Sequence, residues 1–164
     1  MFGPCGYGLP AILGAKIAKP DVPVVGFAGD GAFGISMNEM TACGRGEWPA
    51  ITQVIFRNYQ WGAEKRNTTL WYDNNFVGTE LNLGVEYAKI AEACGLRGLQ
   101  VRTMTELTEA IRESVRLQME ENITTFIECV LNQELGEPFR RDAMKKPVKI
   151  AGINPKDMKP QISG

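Results

Sequence analysis

The 164-residue chain contains no histidine. It therefore cannot build a Ser-His-Asp or Cys-His nucleophile from its own residues. Its four cysteines, Cys5, Cys43, Cys94 and Cys129, stand singly, without a Cys-x-x-Cys pair. Neither a zinc site nor a disulfide framework is expected, and a reducing cytoplasm is the natural setting. Any catalysis must depend on carboxylates, a metal or a cofactor.

Charge of one sign and long apolar runs are scarce as well. The formal net charge is -1, which gives no indication of a nucleic-acid surface. No apolar run approaches the roughly 20 residues of a transmembrane helix. The first ten residues, MFGPCGYGLP, lack the charged and apolar regions of a signal peptide. The length and the 44% hydrophobic content are typical of one globular domain, with neither nucleic acid nor membrane as its partner.

Segments that predict strands alternate with segments that predict helices. Four strands alternating with helices indicate an α/β fold, a parallel sheet with helices on both faces. Residues 58–82 have no clear period and are expected to form a loop. The domain is predicted over 1–131, with 132–164 as its extended C-terminal tail. The strands are predicted at 22–29, 51–57, 99–103 and 123–131, and the helices at 8–18, 33–46, 84–94 and from a cap at Thr105.

Polar residues follow the first two predicted strands directly. Asp30 lies between Gly29 and Gly31 at the end of strand 22–29, and Asn58 follows strand 51–57. Ligands of parallel sheets bind beyond the carboxyl ends of the strands, and neighbouring strand ends lie about 5 Å apart. The Asp30 carboxylate and the Asn58 amide oxygen can therefore reach one ion, with the Gln60 carbonyl as a plausible third ligand.

The glycines beside Asp30 suit a phosphate. Gly29 and Gly31 allow close approach of the backbone, and Ala32 offers a further N–H without bulk. Asp30 would repel a bare phosphate, but a divalent cation between them turns the repulsion into a bridge, and Mg²⁺ suits such a site. Gly-Asp-Gly is also a common turn, and asparagine after a strand is a common turn residue. The residues themselves leave both interpretations open.

The same residues carry a resemblance to a known family. Gly-Asp-Gly followed by Asn58 resembles the thiamine-diphosphate-binding motif. The segment GPCGYGLPAILGAKIAKPDVPVVGFAGDG, residues 3–31, resembles the start of the diphosphate-binding domain in the acetohydroxyacid synthase and pyruvate decarboxylase superfamily. The resemblance implies a thiamine-diphosphate-binding fold with Mg²⁺. It implies metal ligation by the Asp30 and Asn58 side chains and the Gln60 carbonyl, and a diphosphate held by the backbone of Gly29, Gly31 and Ala32.

The resemblance extends to three further positions. It implies that the Gly3 carbonyl accepts the amino group of the aminopyrimidine, and that Cys5 occupies the place of an apolar wedge under the cofactor. Cys5 as a small buried hydrophobe is the alternative. Arg57 departs from the family, which usually has the first of two asparagines there. The metal ligand is the second asparagine, so metal binding is expected to survive.

Three longer segments give a narrower resemblance. Residues 29–40 (GDGAFGISMNEM), 56–67 (FRNYQWGAEKRN) and 132–149 (NQELGEPFRRDAMKKPVK) resemble the sulfoacetaldehyde acetyltransferase family. That family uses thiamine diphosphate and Mg²⁺ to convert sulfoacetaldehyde and phosphate into acetyl phosphate and sulfite. The resemblance implies that the chain is the C-terminal cofactor-binding part of such an enzyme. Two alternatives are the small subunit of a split sulfopyruvate or phosphonopyruvate decarboxylase and a non-catalytic remnant domain.

The resemblance also implies what must come from elsewhere. In this superfamily the activating glutamate lies in a pyrimidine-binding domain, so no catalytic residue is assigned within the chain. A pyrimidine-binding domain or subunit is the expected partner in a homo- or hetero-oligomer, and the chain is expected to be inactive without it. Both substrates are anions, which arginine binds well, although most such residues are merely solvated. The candidate anion-binding residues are Arg57, Arg140 and Arg141, followed by Lys65 and Arg66.

Overall fold

A four-stranded parallel sheet forms the centre of the chain. The structure is a computed structural model and describes residues 4–133. The strand order is β1-β2-β4-β3, and all three neighbouring pairs are parallel. The prediction of an α/β fold with a parallel sheet is confirmed. The strands are β1 (Val25–Gly29), β2 (Thr52–Arg57), β3 (Arg97–Val101) and β4 (Thr125–Val130).

The register of the sheet brings three strand ends to one edge. Gly29 at the end of β1 lies opposite Phe56 in β2. Arg57 at the end of β2 lies opposite Val130 in β4. The chain segments that leave these strands therefore meet at a single carboxyl edge, which is the edge on which a ligand site was expected.

Helices cover both faces of the sheet. Side chains alternate between the faces along each strand, so Ile55 and Phe126 belong to one core cluster while Val54 and Ile127 belong to the other. The first cluster also receives residues from α1, α2, α3 and α5, and the second receives them from α6. The helices of these layers are α1 (Gly8–Ala18), α2 (Asp30–Ile35), α3 (Met40–Cys43), α5 (Tyr87–Ala93) and α6 (Met104–Glu120).

The helix predicted over 33–46 is broken in the structure. α2 ends at Ile35, a 3₁₀ turn covers Met37–Glu39, and α3 begins at Met40. Ser36 N–H donates to the carbonyl of Phe33, three residues back, which is the bonding pattern of a 3₁₀ turn. Glycine, serine and asparagine in this stretch favour the helix weakly, so a regular helix does not persist.

The cap of α6 lies two residues before the predicted one. Thr103 accepts a hydrogen bond from the Glu106 amide at 3.2 Å, and Glu106 accepts one from the Thr103 amide at 3.1 Å. This reciprocal capping box requires a glutamate three residues after the cap, which Thr103 has and Thr105 lacks. Even this longest helix is not apolar, and within residues 4–133 no helix has the length and hydropathy of a membrane span.

Residues 61–80 belong to a second compact unit. The loop predicted over 58–82 is wrong here, because α4 covers Gly62–Trp71. Most of its residues are polar, so the sequence lacks the periodic apolar residues that would have predicted the helix. Lys65 forms an ion pair with Glu80, and its ammonium lies 5.2 Å from the centre of the Phe76 ring.

Candidate functional site

Asp30 is buried at the point where β1 turns into α2. Gly29 caps the helix and Asp30 is its first residue, with only 2% of its surface exposed. Its Oδ1 accepts a hydrogen bond from the Gly31 amide at 3.0 Å, and its Oδ2 accepts one from the Tyr59 amide at 2.7 Å. The carboxylate of the first strand end is thus bonded to the turn that follows the second strand.

The burial of Asp30 is electrostatically unfavourable in the chain alone. Desolvation raises the pKa of the Asp30 carboxyl, and amide hydrogen bonds from Tyr59 and Gly31 oppose that rise. A cation beside the carboxylate would compensate the desolvation directly. The site therefore has a charge that a bound metal would stabilise.

The turn after β2 has an uncommon backbone. Tyr59 adopts a φ of 62°, the left-handed region that a bulky residue rarely enters. The Gln60 side-chain amide donates to the Gln133 carbonyl at 2.8 Å, and Leu131 N–H donates to the Arg57 carbonyl at 2.8 Å. The segment that follows β4 therefore holds this turn from its other side.

Oxygen atoms of Asp30, Asn58 and Gln60 converge. One terminal atom of the Asn58 amide lies 3.0 Å from the Gln60 carbonyl oxygen and 3.1 Å from Asp30 Oδ1. That atom is the side-chain oxygen, so three oxygens face one another with no hydrogen between them. A cation among them would remove the repulsion, as would a half turn of the amide that brings its nitrogen there as a donor. An octahedral Mg²⁺ with ligands at about 2.1 Å separates adjacent ligand oxygens by about 3.0 Å.

The donor set matches the hard cation that the sequence predicts. It offers a carboxylate, an amide oxygen and a backbone carbonyl, and Mg²⁺ prefers such oxygen ligands and completes its shell with phosphate and water. Among residues 4–133 no group of three or more His, Cys, Asp or Glu side chains could hold a metal. The site has one acid only, so a softer metal with protein nitrogen or sulfur ligands is not favoured.

The backbone next to Asp30 leaves room for a ligand. A Cβ placed on Gly29 would meet no atom of residues 4–133 within 4 Å, apart from its sequence neighbours. Gly31 and Ala32 lie in the first turn of α2, where amides have no carbonyl acceptor within the helix, and the Gly31 amide donates to Asp30 Oδ1 instead. The open space at Gly29 adjoins these amides, as a bound phosphate requires.

Arg57 differs from the expectation that it binds a substrate anion. Its side chain is 6% exposed and its Nη1 lies 2.5 Å from Glu128 Oε1. Its Nη2 donates to the Leu83 carbonyl at 2.7 Å, and its guanidinium lies 4.4 Å from the centre of the Tyr59 ring. The guanidinium is occupied by these groups, and binding of a substrate anion by Arg57 stays a prediction.

The other predicted site residues have different outcomes. Cys5 is exposed, so its alternative role as a buried small hydrophobe is wrong, and its role as a wedge stays a prediction. Lys65 is paired with Glu80. Gly3, Arg140 and Arg141 lie outside the described residues.

Glu128 is the residue that the sequence reasoning missed. It is fully buried in the central strand β4 and accepts a hydrogen bond from the Ala88 amide at 3.0 Å in addition to its bonds with Arg57. A signal was present, because a charged residue within the apolar run ITTFIECVL needs a buried partner. Arg57, at the end of the neighbouring strand, is that partner.

The fold and the site define the class of protein. Residues 1–129 match the family described as "Thiamine pyrophosphate enzyme, C-terminal TPP binding domain", thiamine pyrophosphate being another name for thiamine diphosphate. The chain belongs to this family. The recognition of a diphosphate-binding domain from the sequence, and its fold, are thereby confirmed.

Its relatives narrow the match. The chain is 73% identical over 161 residues to a probable sulfoacetaldehyde acetyltransferase of Rhizobium meliloti, and 71% identical to a sulfoacetaldehyde acetyltransferase of Rhodobacter capsulatus. Each alignment covers 98% of this chain, and the chain spans about 27% of the length of either relative. The sequence-based recognition of a sulfoacetaldehyde acetyltransferase-like domain is confirmed.

The fold recurs in a solved structure of another enzyme. The benzoylformate decarboxylase of Polynucleobacter necessarius superposes with a TM-score of 0.68 at 27% identity, over 80% of this chain and 24% of that one. Its identity to the chain is far below that of the acetyltransferases.

Proposed function

We propose that the domain binds the diphosphate of thiamine diphosphate through Mg²⁺ held by Asp30, Asn58 and Gln60. The observation that carries the proposal is the convergence of these residues at 3.0 and 3.1 Å, the spacing of ligands around an octahedral ion. The Asn58 amide ligates through its oxygen, which faces the other two proposed ligand oxygens. The backbone at Gly29, Gly31 and Ala32 then contacts the diphosphate.

Each residue has a distinct task in this arrangement. Asp30 supplies the negative charge, and its second oxygen, bonded to the Tyr59 amide, holds the β2 turn against the site. The Gln60 carbonyl adds a neutral ligand whose direction the left-handed Tyr59 sets. Thiamine diphosphate supplies the carbanion chemistry when bound, and the protein binds and orients it.

The proposed reaction is the conversion of sulfoacetaldehyde and phosphate into acetyl phosphate and sulfite. Its support is the identity of 73% and 71% to the acetyltransferases, spread over 98% of the chain. The runner-up is the small subunit of a split decarboxylase. The likeness to a benzoylformate decarboxylase, at 27% identity, carries much less weight.

A further domain or subunit completes the proposed enzyme. The chain spans about 27% of the length of its relatives, and the glutamate that activates the cofactor is expected in a pyrimidine-binding domain. We place the protein in the cytoplasm, as its unpaired cysteines favour.

The metal site is tested by calorimetric titration of thiamine diphosphate into the full chain, with Mg²⁺ and with a chelator. Binding is expected to be weak and to require Mg²⁺. Asp30→Asn removes the charged ligand at constant size and should weaken Mg²⁺-dependent binding at least 100-fold. Asp21→Asn, in the exposed turn before β1, is the matched control and should leave binding unchanged. Equal binding with and without Mg²⁺ would contradict the proposal.

The reaction is tested on the chain combined with its pyrimidine-binding partner. Sulfite release from sulfoacetaldehyde that depends on phosphate is the expected result. Carbon dioxide release from sulfopyruvate without sulfite would favour the decarboxylase. Full turnover by the chain alone would remove the need for the partner.

A further inference from the structure

Arg57 and Glu128 form a buried charged connection beneath the proposed metal site. Arg57 ends β2 and Glu128 lies within β4, the strand paired with it. Their side chains are 6% and 0% exposed, and Arg57 Nη1 lies 2.5 Å from Glu128 Oε1. Neither residue ligates the proposed metal, so the pair has no assigned task.

The pair contacts the start of α5, the segment before that helix, and the turn after β2. Glu128 Oε2 accepts from the Ala88 amide at 3.0 Å, at the start of α5. Arg57 donates to the Leu83 carbonyl at 2.7 Å, in the segment that leads to that helix. The flat guanidinium also lies 4.4 Å from the centre of the Tyr59 ring, close enough for a cation–π interaction.

Tyr59 links the Arg57–Glu128 pair to the proposed metal site. Its left-handed backbone, with a φ of 62°, persists only if the surroundings fix it. Its amide donates to Asp30 Oδ2 at 2.7 Å, and the next residue is Gln60, whose carbonyl is the proposed third ligand. A force that holds the Tyr59 ring therefore fixes the orientation of two proposed metal-binding groups.

We propose that Arg57, locked by Glu128, is a positioning residue that holds the Tyr59 turn in its metal-binding conformation before the metal arrives. The proposal rests on the proposed Mg²⁺ site. Stability alone is a poor explanation of the pair, since apolar residues can replace a buried ion pair with little loss of stability. Lysine could not make the same contacts, because only the guanidinium fork can donate to Glu128 and Leu83 while it stacks on the tyrosine.

The test measures hydrogen exchange of backbone amides in the full ¹⁵N-labelled chain without metal. It compares exchange in the turn after β2 with exchange in the core of the sheet. The reporter is the Tyr59 amide, and the reference is the Ile127 amide in the central strand β4. Variants are Arg57→Met, which leaves Glu128 unpaired, and the double variant Arg57→Met with Glu128→Gln, which removes both charges but keeps an acceptor for Ala88. Val54→Ala, in the core cluster on the α6 face, is a control that lowers stability without touching the pair.

The hydrogen-exchange rate of the Tyr59 amide should rise at least tenfold relative to that of the Ile127 amide in both variants. The affinity of the chain for Mn²⁺, the probe of the proposed Mg²⁺ site, should fall at least fivefold. The double variant should recover most of the lost stability without recovering Tyr59 protection. Parallel changes at Tyr59 and Ile127 in every variant, or an unprotected Tyr59 in the parent chain, would overturn the proposal. Failure of the parent chain to bind Mn²⁺ would instead count against the metal site, because Tyr59 exchange is measured without metal.

Discussion

The two ends of the sheet use polar groups in opposite ways. At the amino end, the Asn122 side-chain oxygen accepts from the Ala50 amide at 2.9 Å, and the Thr124 hydroxyl accepts from the Ile51 amide at 3.2 Å. Each of these side chains supplies an acceptor to a backbone donor at the start of β2. At the carboxyl end, the Asp30 carboxylate and the Gln60 carbonyl face each other across the Asn58 amide.

The difference implies that polar groups at the amino end serve the stability of the chain, whereas those at the carboxyl end serve binding of a ligand. Acceptors matched to donors at the amino end stabilise the chain. The Asp30 carboxylate at the carboxyl end is buried at a cost in stability, which its amide hydrogen bonds offset only in part and which a bound cation would offset further. Substitutions at the amino end should therefore change the free energy of unfolding and leave cofactor binding intact. Substitutions of the residues proposed to contact the metal or the diphosphate at the carboxyl end should do the reverse.

The largest effect is expected from Gly98→Ala near the amino end of β3. A Cβ at Gly98 would lie 2.1 Å from the carbonyl oxygen of Ala88, and a backbone atom of α5 cannot move aside easily. The added methyl group should lower the free energy of unfolding by about 3 kcal/mol or more, through displacement of α5 from the sheet. Urea denaturation measures the loss. A loss below about 1 kcal/mol would show that α5 moves away from the added methyl group at little cost.

Gly29→Ala is the matched change at the carboxyl end. The φ and ψ of Gly29, -72° and 156°, suit any residue, and in the described part of the chain its Cβ would meet only its sequence neighbours within 4 Å. The free energy of unfolding should stay within about 1 kcal/mol of the parent value or rise slightly. Mg²⁺-dependent binding of thiamine diphosphate should weaken at least tenfold, because the methyl group enters the space proposed for the diphosphate. Unchanged binding would remove Gly29 from the cofactor site.

Asn122→Ala should produce a smaller change confined to stability. It removes the acceptor of the buried Ala50 amide and places alanine at a φ of 54°. The expected loss is about 1–3 kcal/mol, with cofactor binding unchanged once folded protein is compared. Asn122→Gly is the control, since glycine relieves the backbone strain while the hydrogen bond stays lost. A fall in cofactor affinity in either variant would break the separation between the two ends.

The sequence was sufficient for the sheet and for the pair at its edge. Short apolar runs predicted four strands, and the parallel arrangement alone predicted that Asp30 and Asn58 meet. The sequence did not identify the partner of Arg57, because Glu128 lies 71 positions away and only the register of β2 on β4 brings the two residues together.

Local sequence also misled where weak preferences compete. The break after Ile35 arises from serine, glycine and asparagine in a stretch whose apolar spacing still suits a helix. The polar helix α4 gave no apolar period to detect. In both places the error concerns secondary structure outside the proposed ligands Asp30, Asn58 and Gln60.

Glu106→Gln should give the smallest effect, at the carboxyl side of β3 where no ligand is proposed. The Arg102 amide, at 2.7 Å, and the Thr103 amide lower the pKa of the Glu106 carboxyl below its ordinary 4.5. A lowered folded-state pKa means that the stabilisation is present above pH 4.5 and is lost as the pH falls through the folded-state pKa. Glutamine keeps the capping box but cannot titrate. The Tm difference between parent and variant should therefore shrink between pH 7 and pH 3, and a difference that stays constant over this range would contradict the prediction.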